Sequence, residues 1–202
     1  MVYKPIIVVA GEPNSIFSEI FMKSLKFQRF RSPIILIASQ KLMKLQMKKL
    51  NINKKIRKID YLDLKNYQLD NKKINLINVD FDQKKPFEKI SSKSNNYIKK
   101  SFDIAIKILD KKITNKLING PISKRFFLKK NYLGITEYLA KKTKTKNFCM
   151  LIYNKKLSVC PLTTHLPLKK VSKKIDKNII IEKTKLINIF FNKHIKRKAK
   201  IA

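Results

Sequence analysis

The chain has 202 residues, 44% of them hydrophobic, enough for one sizeable α/β domain, or a domain and part of a second, around a buried core. Its 48 basic and 13 acidic residues give a formal charge of +35, which points first to a polyanion, because a Lys/Arg surface releases counterions from a phosphate backbone. Yet only Arg29, Arg31, Arg57, Arg125 and Arg197 carry the guanidinium fork that base-edge recognition favours, and no apolar run nears the ~18 residues of a membrane span, so composition speaks against base readout and against a bilayer.

The remaining basic residues are lysines spread along the chain beside abundant Asn and Ile, as expected when codon bias fills solvent-facing positions. No leading segment combines a basic start, an apolar centre and a small-residue cleavage site, so a cytoplasmic location is expected.

The run Pro5-Ile6-Ile7-Val8-Val9-Ala10 predicts a first strand over 5–10, buried on both faces. Gly11-Glu12-Pro13-Asn14-Ser15 follows, before a helix over 15–28 with Asn14 or Ser15 as its cap. Such a turn places backbone N–H groups where an anionic or polar ligand can sit, the alternative being an ordinary βα turn. Neither G-x-G-x-x-G nor G-x-x-x-x-G-K-[ST] occurs, so the Rossmann fingerprint and the P-loop are absent. A second apolar run predicts a strand over 33–38, followed by a helix over 39–49. The lysine-rich stretches 51–73 and 82–94 read as loops, with at most a short strand near 55–58, on either side of a strand over 74–79. A helix over 95–111 and a strand over 115–119 continue the alternation, which argues for a sheet with crossover helices and no internal repeat.

That strand enters Ile118-Asn119-Gly120-Pro121-Ile122-Ser123-Lys124 and a helix over 122–130. Free N–H groups there, with the Ser123 hydroxyl and the Lys124 ammonium, would suit a phosphate ester, although any single lysine carries little weight in this chain. Gly134-Ile135-Thr136-Glu137 opens a helix over 136–142, with Thr136 either as its N-cap or as a holder of a substrate hydroxyl or phosphate. Strands over 147–153 and 156–161, joined by a tight hairpin centred on Asn154-Lys155, would set Cys149 and Cys160 opposite each other. In a reducing cytosol they read as two small buried thiols rather than a disulfide.

In Pro161-Leu162-Thr163-Thr164-His165-Leu166-Pro167-Leu168, His165 stands between hydroxyls at the C-terminal edge of a predicted strand, where open α/β sheets place ligands. A neutral imidazole there suits a divalent metal, a structural histidine being the alternative, and one ligand alone cannot hold a catalytic metal. His194, at a basic helix end, reads as exposed. The last helix, over 178–194, has Ile179, Ile180, Leu186, Ile187, Ile189 and Phe190 on its apolar side. Ala199-Lys200-Ile201-Ala202 reads as the start of a strand, which hints at a truncated chain, a frayed tail being the alternative.

Taken in order, four segments resemble the 4-hydroxythreonine-4-phosphate dehydrogenase family: an opening strand with G-[DE]-P, a strand with [TN]-G-P-[IV]-x-K, then G-x-T-E and T-T-H-[LI]-P-L, across residues 5 to about 172. Residues 173–202 would add a helix and a strand start. The resemblance implies an isocitrate-dehydrogenase-like three-layer α/β/α fold with a two-domain subunit, its C-terminal part missing here, working as a homodimer. It implies oxidation of the secondary alcohol of 4-phosphohydroxy-L-threonine by NAD to a β-keto acid that loses carbon dioxide, in pyridoxal phosphate biosynthesis. A divalent metal (zinc, magnesium or cobalt) would act as the Lewis acid. Carried over residue by residue, His165 matches a metal ligand, Thr136 a contact to the substrate phosphate, and Lys124 lies in a matching substrate loop. No catalytic residue and no NAD-binding residue is assigned.

Three departures accompany the match. Ile135 stands where the family usually has histidine, and Pro13-Asn14-Ser15-Ile16-Phe17 replaces P-A-G-I-G, leaving a less free backbone. The family's other metal histidines, in later N-P-H and Y-H-D-Q segments, lie beyond Ala202, so this chain alone is expected to lack dehydrogenase activity. The rivals are a dehydrogenase of a related phosphorylated four-carbon hydroxy acid, a non-enzymatic lysine-rich polyanion binder, and a decayed gene product.

Overall fold

A computed structural model of the chain describes residues 3–129 and 131–202, which fall into two compact units, Met1–Lys129 and Lys130–Ala202. In the first, β1 (Ile6–Val9), β2 (Ile34–Ala38), β3 (Ile56–Lys58), β4 (Ile74–Asn78) and β5 (Leu117–Asn119) form one sheet in the order β3-β4-β2-β1-β5. Every pairing is parallel, with Ile7 beside both Ile35 and Leu117 and Leu36 beside Leu76. Parallel neighbours need crossovers. They are α1 (Phe17–Phe27), α2 (Gln40–Lys49) and α3 (Asn95–Asp110), while β3 reaches β4 through irregular chain with one 3-10 turn at Leu64–Asn66.

Side chains alternate across a strand, so β2 feeds two cores at once. Ile34, Leu36 and Ala38 pack with Phe21 and Met22 of α1 and Met43 and Met47 of α2. Ile35 and Ile37 are fully buried on the other face, where α3 packs against β1 and β2 and buries Ile98, Phe102, Ala105 and Ile108. The first unit is thus a helix–sheet–helix sandwich, the α/β architecture that its apolar runs predict. Ser39 caps α2 by accepting a hydrogen bond from Leu42 N at 3.3 Å.

Two polar stretches that read as loops prove well tied. Asn71 Nδ2 donates to Phe30 O and Ser32 O while its Oδ1 accepts from Ile34 N, and the buried Asn75 Nδ2 donates to Ile34 O and Asp70 O. Asn14 and Gln83 exchange amide hydrogen bonds of 3.1 and 2.8 Å, and Asn14 Oδ1 also accepts from Glu88 N. Gln46 Nε2 donates to both Pro13 O and Pro86 O. Segment 82–94 is therefore clasped to the loop after β1 by neutral amides.

The second unit contains α4 (Ile135–Lys142), the four-residue α5 (Leu168–Val171) and α6 (Lys177–Phe190), which runs on into a wider π turn, Phe191–Ile195. Asp176 caps α6, its carboxylate accepting from Asn178 N and Ile179 N at 2.8 and 2.9 Å. The strands predicted over 147–153 and 156–161 are absent. One antiparallel bridge, Ile152 to Val159, is all that forms. The Asn154 and Ser158 side chains bond the backbone at the tip, and an isolated two-stranded ribbon with no third strand gains too little burial to extend. Residues 198–202 have no regular structure where a strand was expected to begin. No helix of the described residues is long and apolar enough to cross a membrane.

Candidate functional site

At the C-terminal edge of the sheet the loops after β1 and β5 are fused. Glu12 N donates to Pro121 O at 2.7 Å and Gly120 N to Val9 O at 2.8 Å. The backbones approach so closely that a Cβ on Gly11, at φ +74°, would lie 2.4 Å from Pro121 O, and one on Gly120 would lie 2.1 Å from Ala10 O. Only glycine fits either position. Glu12 is 1% exposed. Its carboxylate accepts from Asn14 N at 3.2 Å and from Ser94 Oγ at 2.7 Å, joining this loop to the residues before α3.

These contacts revise the picture of the opening loop as a ligand cradle. Glu12, Asn14, Ser15 and Phe17 N–H groups are all engaged, by Pro121 O, Glu12 Oε1, Glu12 O and Ser15 Oγ respectively. Neither Asn14 nor Ser15 is the N-cap residue of α1. Ile16 holds that position without a side-chain bond, because Asn14 is drawn off to Gln83 and Glu88.

Lys124 is exposed in the first unit. The helix predicted over 122–130 is a five-residue π turn, Lys124–Leu128, ending at Lys129 in the left-handed region. The Ser123 hydroxyl accepts from Phe126 N at 3.1 Å, which leaves its own proton to donate. That proton and the exposed Lys124 ammonium are what this turn offers an anion.

In the second unit, Thr136, Glu137, Thr164 and His165 come together around Gly134. Gly134 takes the N-cap position of α4, so Thr136 lies inside the helix rather than capping it, half-buried. Glu137 Oε1 accepts from Thr164 Oγ1 at 3.3 Å. A Cβ on Gly134 would come within 3.1 Å of Glu137 Oε2 and 3.8 Å of His165 Nε2, so carboxylate and imidazole flank the same space. His165 is exposed at φ 55°, on a loop and not at the end of a strand, since no strand forms over 156–161. The residue missed by the sequence reading is Glu137. Its place one turn into a helix opened by glycine, beside Thr136, was the available signal.

A carboxylate, an imidazole and two threonine hydroxyls suit a polar ligand bearing hydroxyl and acidic groups. They do not complete a metal site. Among the described residues no three His, Cys, Asp or Glu side chains converge on a point, and His194 is exposed against the Phe190 ring. The cysteines are half-buried rather than fully buried, and both are free.

Residues 29–202 match the family model described as "Pyridoxal phosphate biosynthetic protein PdxA". Among curated proteins, the 4-hydroxythreonine-4-phosphate dehydrogenase of Sulfurihydrogenibium sp. (strain YO3AOP1) is 31% identical over 184 residues, covering 90% of this chain and 56% of that protein. The enzyme of the same name from Aquifex aeolicus (strain VF5) is 45% identical over 74 residues, 35% of this chain and 23% of that one. Among solved structures, a 4-hydroxythreonine-4-phosphate dehydrogenase from Burkholderia phymatum superposes with a TM-score of 0.82 at 20% identity, over 96% of this chain and 60% of that one. One from Klebsiella pneumoniae gives 0.80 at 21%, over 94% and 59%. At those identities the superpositions show the fold, and the chain spans about half the length of the first of these curated relatives.

Proposed function

The chain belongs to the family of the pyridoxal phosphate biosynthetic protein PdxA, and from that membership we propose that it serves the NAD-linked oxidation of 4-phosphohydroxy-L-threonine. The observation that carries the proposal is the family match over residues 29–202, which includes the Gly134–His165 cluster. In this reading Thr136 donates its hydroxyl to the substrate phosphate, while Lys124, exposed in the first unit, is a second family-matched position for a phosphorylated ligand. Glu137 holds Thr164 and so orients the loop that presents His165 to the substrate's polar end.

NAD, when bound, supplies the hydride acceptor; the alcohol's proton leaves to a base, and the resulting β-keto acid loses carbon dioxide. A divalent metal is part of the family reading, but the donors described here do not hold one unaided, so no step is routed through it. His165 contributes one imidazole. A homodimer is proposed as the working assembly, and the exposed Leu157, Val159, Leu168 and Ile189 of the second unit suit association.

Binding is the decisive readout for this chain. Titration calorimetry with 4-phosphohydroxy-L-threonine is expected to show saturable binding that the unphosphorylated amino acid lacks. Thr136→Val should weaken it about tenfold, the cost of one hydrogen bond to a charged acceptor. Equal binding of both ligands, or none of either, would refute the reading. A preference for a different phosphorylated four-carbon hydroxy acid would shift the substrate within the same class.

Polyanion binding is a second reading with one observation in its favour. Lys44, Lys48, Lys54, Lys55, Arg57 and Lys73 line an open groove of about 780 Å³ between α2 and β3. Its mark would be affinity that falls steeply with salt and ignores small phosphorylated ligands.

A further inference from the structure

Cys149 and Cys160 are the chain's two cysteines; both are free and half-buried, and they stand near enough for each to bear on the other's ionisation. The arm between them brings this about. Ile152 and Val159 exchange both backbone hydrogen bonds, at 2.8 and 3.0 Å. Its tip is closed by Asn154 N donating to Ser158 Oγ at 3.1 Å, Ser158 Oγ donating to Asn154 O at 2.9 Å and Lys156 N donating to Asn154 Oδ1 at 2.9 Å. Carried outward from that single bridge, the register sets residues 149 and 160 on one face as diagonal neighbours, about 7–8 Å apart, so a disulfide requires the arm to close by a few ångströms. Lys183 of α6 lies alongside, its ammonium donating to Phe148 O and sitting 5.5 Å from the centre of the Phe148 ring.

We propose that Cys149 and Cys160 form a reversible intramolecular disulfide by exchange with a low-molecular-weight disulfide such as glutathione disulfide. The Cys149 thiolate attacks one sulfur of the small disulfide, whose S–S bond breaks and releases one thiolate. Cys160 then loses its proton to solvent and attacks Cys149 Sγ in the mixed disulfide, expelling the second small thiol. Two protein thiols are oxidised by two electrons in all, and one small disulfide is reduced to two thiols. The order follows from the surroundings. Burial, then the neighbouring Cys149, raise the Cys160 thiol against the opposing charge of Lys183, which favours Cys160 as the second to react.

The bond would close the loop 150–159 immediately upstream of Thr163-Thr164-His165 and restrict the segment that presents His165. It needs neither the substrate nor the activity proposed above, so it stands or falls separately from them.

The test equilibrates the full 202-residue chain in glutathione buffers of graded thiol-to-disulfide ratio, traps free thiols by alkylation and reads intact mass and peptide map. The expected result is loss of the mass of two hydrogen atoms, with both cysteines protected in step and both released by dithiothreitol. Cys149→Ser and Cys160→Ser should each carry a stable glutathione adduct on the remaining cysteine instead. A wild-type chain that stays reduced throughout the series, that carries glutathione on each cysteine independently, or that cross-links between molecules overturns the proposal.

Discussion

The two units bury their apolar residues to very different extents. In the first, a parallel sheet is covered on both faces and Ile7, Val9, Ile35, Leu36, Ile37, Leu76, Ile98, Phe102 and Ile108 are sealed from water. In the second, α6 buries no residue, Leu168 is 88% exposed and Leu157 74%, and the buried apolar side chains are Tyr138, Ala140 and Phe191. The unit with the stronger core ties its loops by side-chain amide hydrogen bonds. The unit with the thinner core presents the imidazole, the carboxylate and both cysteines. The stronger core and the candidate cluster around Gly134 thus lie in different parts of the chain.

The sharpest way to break that comparison is to make equal cuts in the two units. Phe102→Ala should destabilise the first unit by about 3–5 kcal/mol, measured by urea unfolding, because it empties a fully enclosed site under α3. Phe191→Ala should cost clearly less, since its ring contacts are with Tyr153, Phe190 and Arg197 at the edge of a thin core. Equal losses would end the distinction.

A smaller effect, about 1–3 kcal/mol, is expected from Gly120→Ala, whose added methyl meets the Ala10 carbonyl and must part the loops after β1 and β5. Gly134→Ala should be milder, since the atom it meets first is the Glu137 carboxylate at 3.1 Å, the end of a flexible side chain.

The smallest effect at neutral pH concerns Tyr97 in the first unit. Burial, opposed by a hydrogen bond from the Ser39 backbone, raises its phenol well above the ordinary 10.0. A raised folded pKa gives stability that is complete below 10.0 and lost as pH climbs from there towards the folded value. Alkaline unfolding of the first unit should therefore steepen above pH 10.0. Tyr97→Phe should flatten that limb, and an unchanged profile would show that Tyr97 does not set it.

Much of the first unit was legible in its sequence, because strands buried on both faces read as unbroken apolar runs. The strands predicted over 5–10, 33–38, 74–79 and 115–119 all contain one, and β3 lies within the short strand suggested near 55–58. The cues that failed were local ones overruled by distant partners. Asn14 looked like a cap until Gln83 and Glu88 drew it away, and Ser123-Lys124 looked like an open helix start until Ser123 engaged Phe126 N. The hairpin over 147–161 alternated well enough, but no third strand was there to support it. Of the candidate cluster, Thr136 and His165 were suggested by motif, whereas Glu137 joined it only when the chain brought Thr164 back to it.

The amides of Asn14, Gln46 and Gln83 that clasp the segment 82–94 carry no charge themselves, although the Glu12 carboxylate joins the same junction through Asn14 N and Ser94 Oγ. In a chain of charge +35, contacts between charged side chains weaken as ionic strength rises. The amide bonds of this junction do not themselves titrate, so they hold the mouth of the sheet while the lysine field around it is screened or exposed. Their weakness lies in time instead. Deamidation of Asn14 would replace two N–H donors with a carboxylate beside the buried Glu12, and the clasp would age where it does not titrate.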